Sequence, residues 1–188
     1  APVESESQTM TPLHAAARRY ATAGIPVFPC REGEKEPATA NGFKDATCDL
    51  EQVDKWWAEN PHYNLALSPE DAGWAVVDLD PPTGIDNWTA LLNGHNPDPI
   101  PTYTVETPRG GLHLYFEGTV PSTVSKIAHK IDTRGVGGYV LLPPSIVNGK
   151  PYRVLHDADI VPLPDWVAHG VASTSVAAAA SVETLDTP

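Results

Sequence analysis

A chain of 188 residues with 24 acidic and 12 basic side chains carries a formal charge of −12, which argues against a surface that binds polyanions non-specifically. The length suits one domain with a substantial core, and the lack of any long apolar run excludes a membrane-spanning helix. Cys30 and Cys48 make neither a Cys-x-x-Cys nor a zinc spacing, and no secretory pattern opens the chain, so a reducing, cytoplasmic setting is expected. The charge is uneven. Between Pro101 and Arg153 six basic residues meet three acidic ones, a local +3, which leaves six basic and 21 acidic residues elsewhere.

In chain order, residues 1–9 are polar and pattern-free and read as a disordered leader, with the native start at Met10, the only methionine. Thr11-Pro12 supplies an N-cap and a first-turn proline. Leu13, Ala16, Ala17, Tyr20 and Ala21 then share a helical face, closed by Gly24. Ile25 to Pro29 reads as an edge strand, and Cys30 to Thr47 as a polar loop long enough to bind something, with Lys35 able to reach a phosphate. Asp49 and Gln52 resemble a capping box before the stripe Leu50, Val53, Trp56 and Trp57. Asn64 to Leu67 is strand-like, and with the strand that follows it is expected to form a hairpin.

That next strand carries the strongest chemical signal. In Val76-Val77-Asp78-Leu79-Asp80 the side chains alternate, so Asp78 and Asp80 face one side while Val77 and Leu79 pack behind, until Pro81-Pro82 stops the strand. Paired carboxylates suit hard divalent cations. Ile85, Trp88, Leu91 and Leu92 have helical spacing, and Thr102 to Glu106 returns as a strand. Thr107-Pro108-Arg109-Gly110-Gly111 is a tight turn, from which Leu112 to Phe116 emerges with His113 and Tyr115 on one face. Ser122 to Lys130 reads as a connection. Asp132 and Arg134 share a face if extended, Tyr139 to Leu142 is a buried strand, and Lys150 to Leu155 is one more. Pro164 to Val167 makes a closing helical turn, and 168–188 an Ala/Ser-rich linker or disordered tail, leaving 10–167 as the folded domain.

No nucleophile elbow, dinucleotide fingerprint or P-loop is present. Acids on strands, a histidine beside a Gly-Gly turn and an arginine near glycines are instead the parts that nucleotidyl transfer needs. In this order the motifs resemble the primase–polymerase domain of phage and plasmid replication proteins, in the archaeo-eukaryotic primase superfamily. Val77-Asp78-Leu79-Asp80 is similar to its first motif and Thr107 to Phe116 to its second. Ile131-Asp132-Thr133-Arg134-Gly135, with Gly138-Tyr139-Val140 and Pro143-Pro144-Ser145, is similar to its third. The likeness covers roughly residues 12–155, including Lys35-x-Pro37 and Trp56-Trp57. One departure is Gly111, where the superfamily often has a serine, so a hydroxyl would have to come from Thr107 or Ser145.

The resemblance implies an α+β fold: a mixed, largely antiparallel sheet of RNA-recognition-motif kind flanked by helices, with an N-terminal α/β portion forming a cleft. It implies a template-dependent nucleotidyltransferase that makes or extends primers on single-stranded DNA from nucleoside triphosphates. Asp78, Asp80 and Asp132 would hold two Mg²⁺ or Mn²⁺ ions, while His113 and Arg134 bind phosphate. Lys35, Arg109, Ser145 and Thr107 are further nucleotide contacts. No zinc or membrane partner is expected, and a helicase domain or protein of the same replication system, in the cytoplasm of the host cell, is. The rival expectations are a non-catalytic DNA-binding or replication-initiation module and a metal-dependent phosphoesterase.

Overall fold

The structure is a computed structural model that describes residues 9–95 and 101–172. In chain order its elements are α1 (Pro12–Thr22), β1 (Phe28–Cys30), α2 (Leu50–Glu59), β2 (Asn64–Leu67), α3 (Pro69–Ala72), β3 (Trp74–Leu79) and α4 (Thr83–His95). They continue as β4 (Thr104–Glu106), β5 (Leu112–Glu117), β6 (Thr123–Ala128), β7 (Ile131–Arg134) and β8 (Val140–Leu141). The chain closes with β9 (Ile146–Val147), β10 (Lys150–Pro151), β11 (Arg153–His156), β12 (Val161–Pro162) and α5 (Asp165–Ala172). It is α+β, with strands paired almost entirely antiparallel, and it divides into two compact units.

The first unit comprises the chain up to Leu67 with Leu141–Pro151. Thr11 caps α1 as its sequence demands, its hydroxyl accepting from the His14 N–H, and Leu13, Ala16, Ala17 and Ala21 are buried. Asp49 caps α2 by accepting from the Glu51 N–H, and Val53 and Trp57 are its buried face. The two helices are clamped by one carboxylate: Asp54 accepts from His14 Nε2 at 2.7 Å and from Arg18 Nη1 at 2.5 Å. The helices accompany the small sheet β1–β2–β8, and β9–β10 is a separate two-stranded ribbon.

The second unit, Ser68–Val140 with Tyr152 onward, holds the seven-stranded sheet in the order β11–β4–β5–β3–β7–β6, with β12 added in parallel to β5. β3 is central, and its alternation decides the layering. Val77 and Leu79 point into a core with Leu114, Phe116 and Ile131, roofed by Trp88 of α4 and Val167 of α5. Completely burying side chains of this size is worth roughly 2 kcal/mol each, which fixes the strand register because a one-residue slip would exchange the faces. Val76, Asp78, His113, Tyr115, Asp132 and Arg134 occupy the face opposite that core, as the alternation requires.

Several expectations are corrected. β2 and β3 do not form a hairpin: the α3 turn separates them and each joins a different sheet. The stretch 122–130 is not a bare connection, because β6 lies in it and pairs with β7 around a bulge. The strand expected from Lys150 to Leu155 is broken at Tyr152 into β10 and β11, which belong to different sheets, a break that Pro151 imposes by lacking an N–H. Nor does ordered structure stop at Val167. α5 runs on to Ala172, and Val167 and Val171, four positions apart, form its buried face. Of the expected leader, residues 1–8, and of the expected tail, residues 173–188, lie outside the described residues.

Candidate active site

Three neighbouring strands bring the site together. On β3, Asp78 is in direct register with His113 of β5 on one side and with Asp132 of β7 on the other. One pleat along, Val76 is flanked by Tyr115 and Arg134, so the guanidinium rises on the same face as the acids. Antiparallel pairing alone thus converts residues more than fifty positions apart into a single row.

The row is mostly desolvated. Side-chain exposure is 18% for Asp78, 8% for His113, 12% for Asp132 and 32% for Arg134. Arg134 Nη2 lies 3.4 Å from Asp132 Oδ2 and 3.8 Å from Asp78 Oδ2, and His113 Nε2 lies 3.5 Å from Asp78 Oδ1. The other Asp132 oxygen, Oδ1, accepts from the Ser125 N–H at 2.9 Å. His113 packs against Tyr152 with ring centroids 5.9 Å apart, and its Nδ1 is buried with no hydrogen-bond partner among the described residues. A buried ring nitrogen without a partner is costly in a finished core but suits a group that awaits a ligand.

Asp80 follows the last residue of β3 and is exposed, with its N–H donating to the Lys130 carbonyl at 3.0 Å. Among the described residues no three His, Cys, Asp or Glu side chains converge closely enough to hold an ion as they stand. The chemistry of Asp78 and Asp132 fits a hard divalent cation all the same: both are oxygen donors, directly opposed, and balanced at present by Arg134.

The remaining candidates fall into two groups. Thr107 and Arg109 are in the β4–β5 turn of the same unit. Arg109 is exposed at its tip, and Thr107 Oγ1 accepts from the Gly111 N–H at 3.1 Å. Gly111 is glycine for a steric reason, since a Cβ there would stand 2.5 Å from Leu79 O and 3.0 Å from Thr107 Oγ1. Lys35 and Ser145 belong to the first unit. Lys35 is exposed on the turn after β1, where Gly33 takes φ +73°. Ser145 is fully buried, and its hydroxyl accepts from the Leu65 N–H at 2.9 Å and donates to the Leu65 carbonyl at 3.1 Å. That oxygen is used within its own unit.

Two residues that touch the site, Ser125 and Tyr152, were not singled out from sequence. Ser125 sits in a bulge with no Gly or Asn to announce it, whereas the proline before Tyr152 does mark the break that turns its ring toward His113.

The geometry agrees with a comparison against protein families: the model for the bifunctional DNA primase/polymerase N-terminal domain, Prim-Pol, matches residues 17–166. The chain belongs to that family. No curated protein is similar enough to the chain to count as a match. None of the described helices is long and apolar enough to cross a membrane.

Proposed function

We propose that the chain catalyses template-directed nucleotidyl transfer on single-stranded DNA, making or extending primers from nucleoside triphosphates. The observation that supports it most is the row His113–Asp78–Asp132 with Arg134 beside it, two acids and two cationic or hydrogen-bonding donors on one sheet face. Asp78 and Asp132, joined by Asp80, would hold Mg²⁺ or Mn²⁺, which when bound supplies a lowered hydroxyl pKa and charge neutralisation at the triphosphate.

The chain's own groups do the rest. Arg134, within 4 Å of both carboxylates, would meet a phosphate oxygen when a cation takes over their charge. His113, packed against Tyr152, presents its imidazole to the same triphosphate and stabilises charge that grows in the transition state. Arg109 on its exposed turn and Thr107 beneath it extend the donor set.

The test is incubation of the full chain with single-stranded DNA, labelled nucleoside triphosphates and Mn²⁺ or Mg²⁺, with and without a primer. Labelled product that requires template and metal is expected. Product without primer identifies priming, and product with primer alone identifies extension. Shortened DNA or released phosphate without polymer would indicate a phosphoesterase, and salt-sensitive DNA binding indifferent to metal and nucleotide would indicate a binding module.

A further inference from the structure

The β6–β7 hairpin holds two non-glycine residues in left-handed backbone, Ser125 at φ 49° and Lys130 at φ 64°. Such conformations cost about 1 kcal/mol or more each and persist where surrounding structure imposes them. Here the pairing of β6 with β7 shifts register between Thr123 and Ala128, so the strand bulges at Ser125.

Each strained residue is tied to one acid of the site. The Ser125 N–H donates to Asp132 Oδ1 at 2.9 Å, and the Lys130 carbonyl accepts from the Asp80 N–H at 3.0 Å. The two are tied to each other as well, because Ser125 Oγ accepts from the Lys130 N–H at 3.1 Å. The far end is braced: Gly84 lies so close that a Cβ there would stand 2.2 Å from Lys130 O. A continuous chain of hydrogen bonds therefore runs Asp132–Ser125–Lys130–Asp80.

We propose that Ser125 is a positioning residue whose left-handed bulge aims its amide at the Asp132 carboxylate. With Oδ1 pinned by the amide, Oδ2 is left for Arg134 or an incoming cation. The proposal rests on the nucleotidyl-transfer function proposed above. Partners of this kind behind a metal ligand are typically worth about 10–100-fold in metal affinity.

Three variants of the full chain separate positioning from mere structure. Ser125→Gly keeps the amide and accepts φ 49° but loses the hydroxyl. Ser125→Val resists positive φ and withdraws the amide, and Ser125→Ala lies between. Mn²⁺ binding is read from the paramagnetic resonance of the free ion, folding from the thermal midpoint, and the Ser125–Asp132 bond from the Ser125 amide resonance in wild type and Asp132→Ala. Expected are about tenfold weaker Mn²⁺ binding in Ser125→Val, with Ser125→Gly within about threefold of wild type, and an amide resonance displaced by Asp132→Ala. Should Ser125→Val not fold, Ser125→Ala against Ser125→Gly reads the same order with a smaller gap.

Folded Ser125→Val or Ser125→Ala that binds Mn²⁺ like wild type, or an amide indifferent to Asp132→Ala, overturns the positioning role and leaves the proposed function standing. A wild-type chain that binds no Mn²⁺, with or without nucleotide, overturns both.

Discussion

Asp78 on β3 stands directly opposite Asp132 on β7, two mostly buried carboxylates in cross-strand register. Like charges so placed oppose the pairing of their strands, and the sheet carries the pair because Arg134 lies within 4 Å of both. The cluster is thus poised between two counter-charges, an internal arginine and an external cation.

Removing the internal one should expose the conflict. Arg134→Met is expected to lose roughly 1 kcal/mol in metal-free buffer, a modest figure because the side chain is about a third exposed. Mn²⁺ should then raise its thermal midpoint by more than it raises that of wild type. Equal midpoints for the two proteins in chelator would show that Arg134 does not balance the acids.

Neutralising an acid should divide stability from activity. Asp78→Asn and Asp132→Asn each relieve the opposed charges while keeping shape, so the thermal midpoint should hold or rise. Primer synthesis should fall at least about a hundredfold, since several kcal/mol of transition-state stabilisation would go with the cation. Near-wild-type product from a folded Asp132→Asn enzyme would remove that residue from the metal site.

Why much of this site was legible in sequence is a matter of periodicity. A strand of strict alternation such as Val76 to Asp80 announces which side chains share a face, and the same holds for Leu112 to Phe116 and Ile131 to Arg134. Which strands are neighbours is not encoded locally. β2 and β3 looked like a hairpin because only the α3 turn separates them, yet Leu65 and Ala66 are buried in the other sheet. The β6 bulge was hidden for a different reason: a serine at positive φ leaves no mark in composition, and what stabilises it is a carboxylate seven residues away. Ser145 looked like a candidate hydroxyl because its motif was recognisable. Its burial against Leu65 is a long-range fact that no local pattern carries.

Gly111 shows how sterics decide a motif position. Gly111→Ser would bring Cβ against the Leu79 carbonyl and the Thr107 hydroxyl, with Pro81 Cδ only 3.2 Å away. Overpacking of this sort costs about 1–3 kcal/mol, and relief would have to come from displacing β3 just before Asp80. A lowered thermal midpoint together with reduced primer synthesis is expected. A variant as stable as wild type would show that the turn yields freely, and that serine is absent for some reason other than space.

In the first unit the α1–α2 clamp should set a pH dependence of its own. The hydrogen bond from Arg18 holds the Asp54 carboxyl below its ordinary value, with desolvation opposing and His14 adding to the depression. A carboxyl that is more acidic folded than unfolded stabilises the fold fully above the unfolded value, about 3.9, and loses that contribution as pH falls through the folded one. Stability of the wild type should therefore drop on acidification below about pH 4 more steeply than that of Asp54→Asn, which has no proton to take up there. The effect is small because Asp54 is 45% exposed and salt screens the pair. Denaturant midpoints for both proteins at a series of pH values in low salt measure it. Parallel curves through the acid range would mean that the clamp is geometric only, and that its ion pairs add nothing to the packing of Trp57 beside His14.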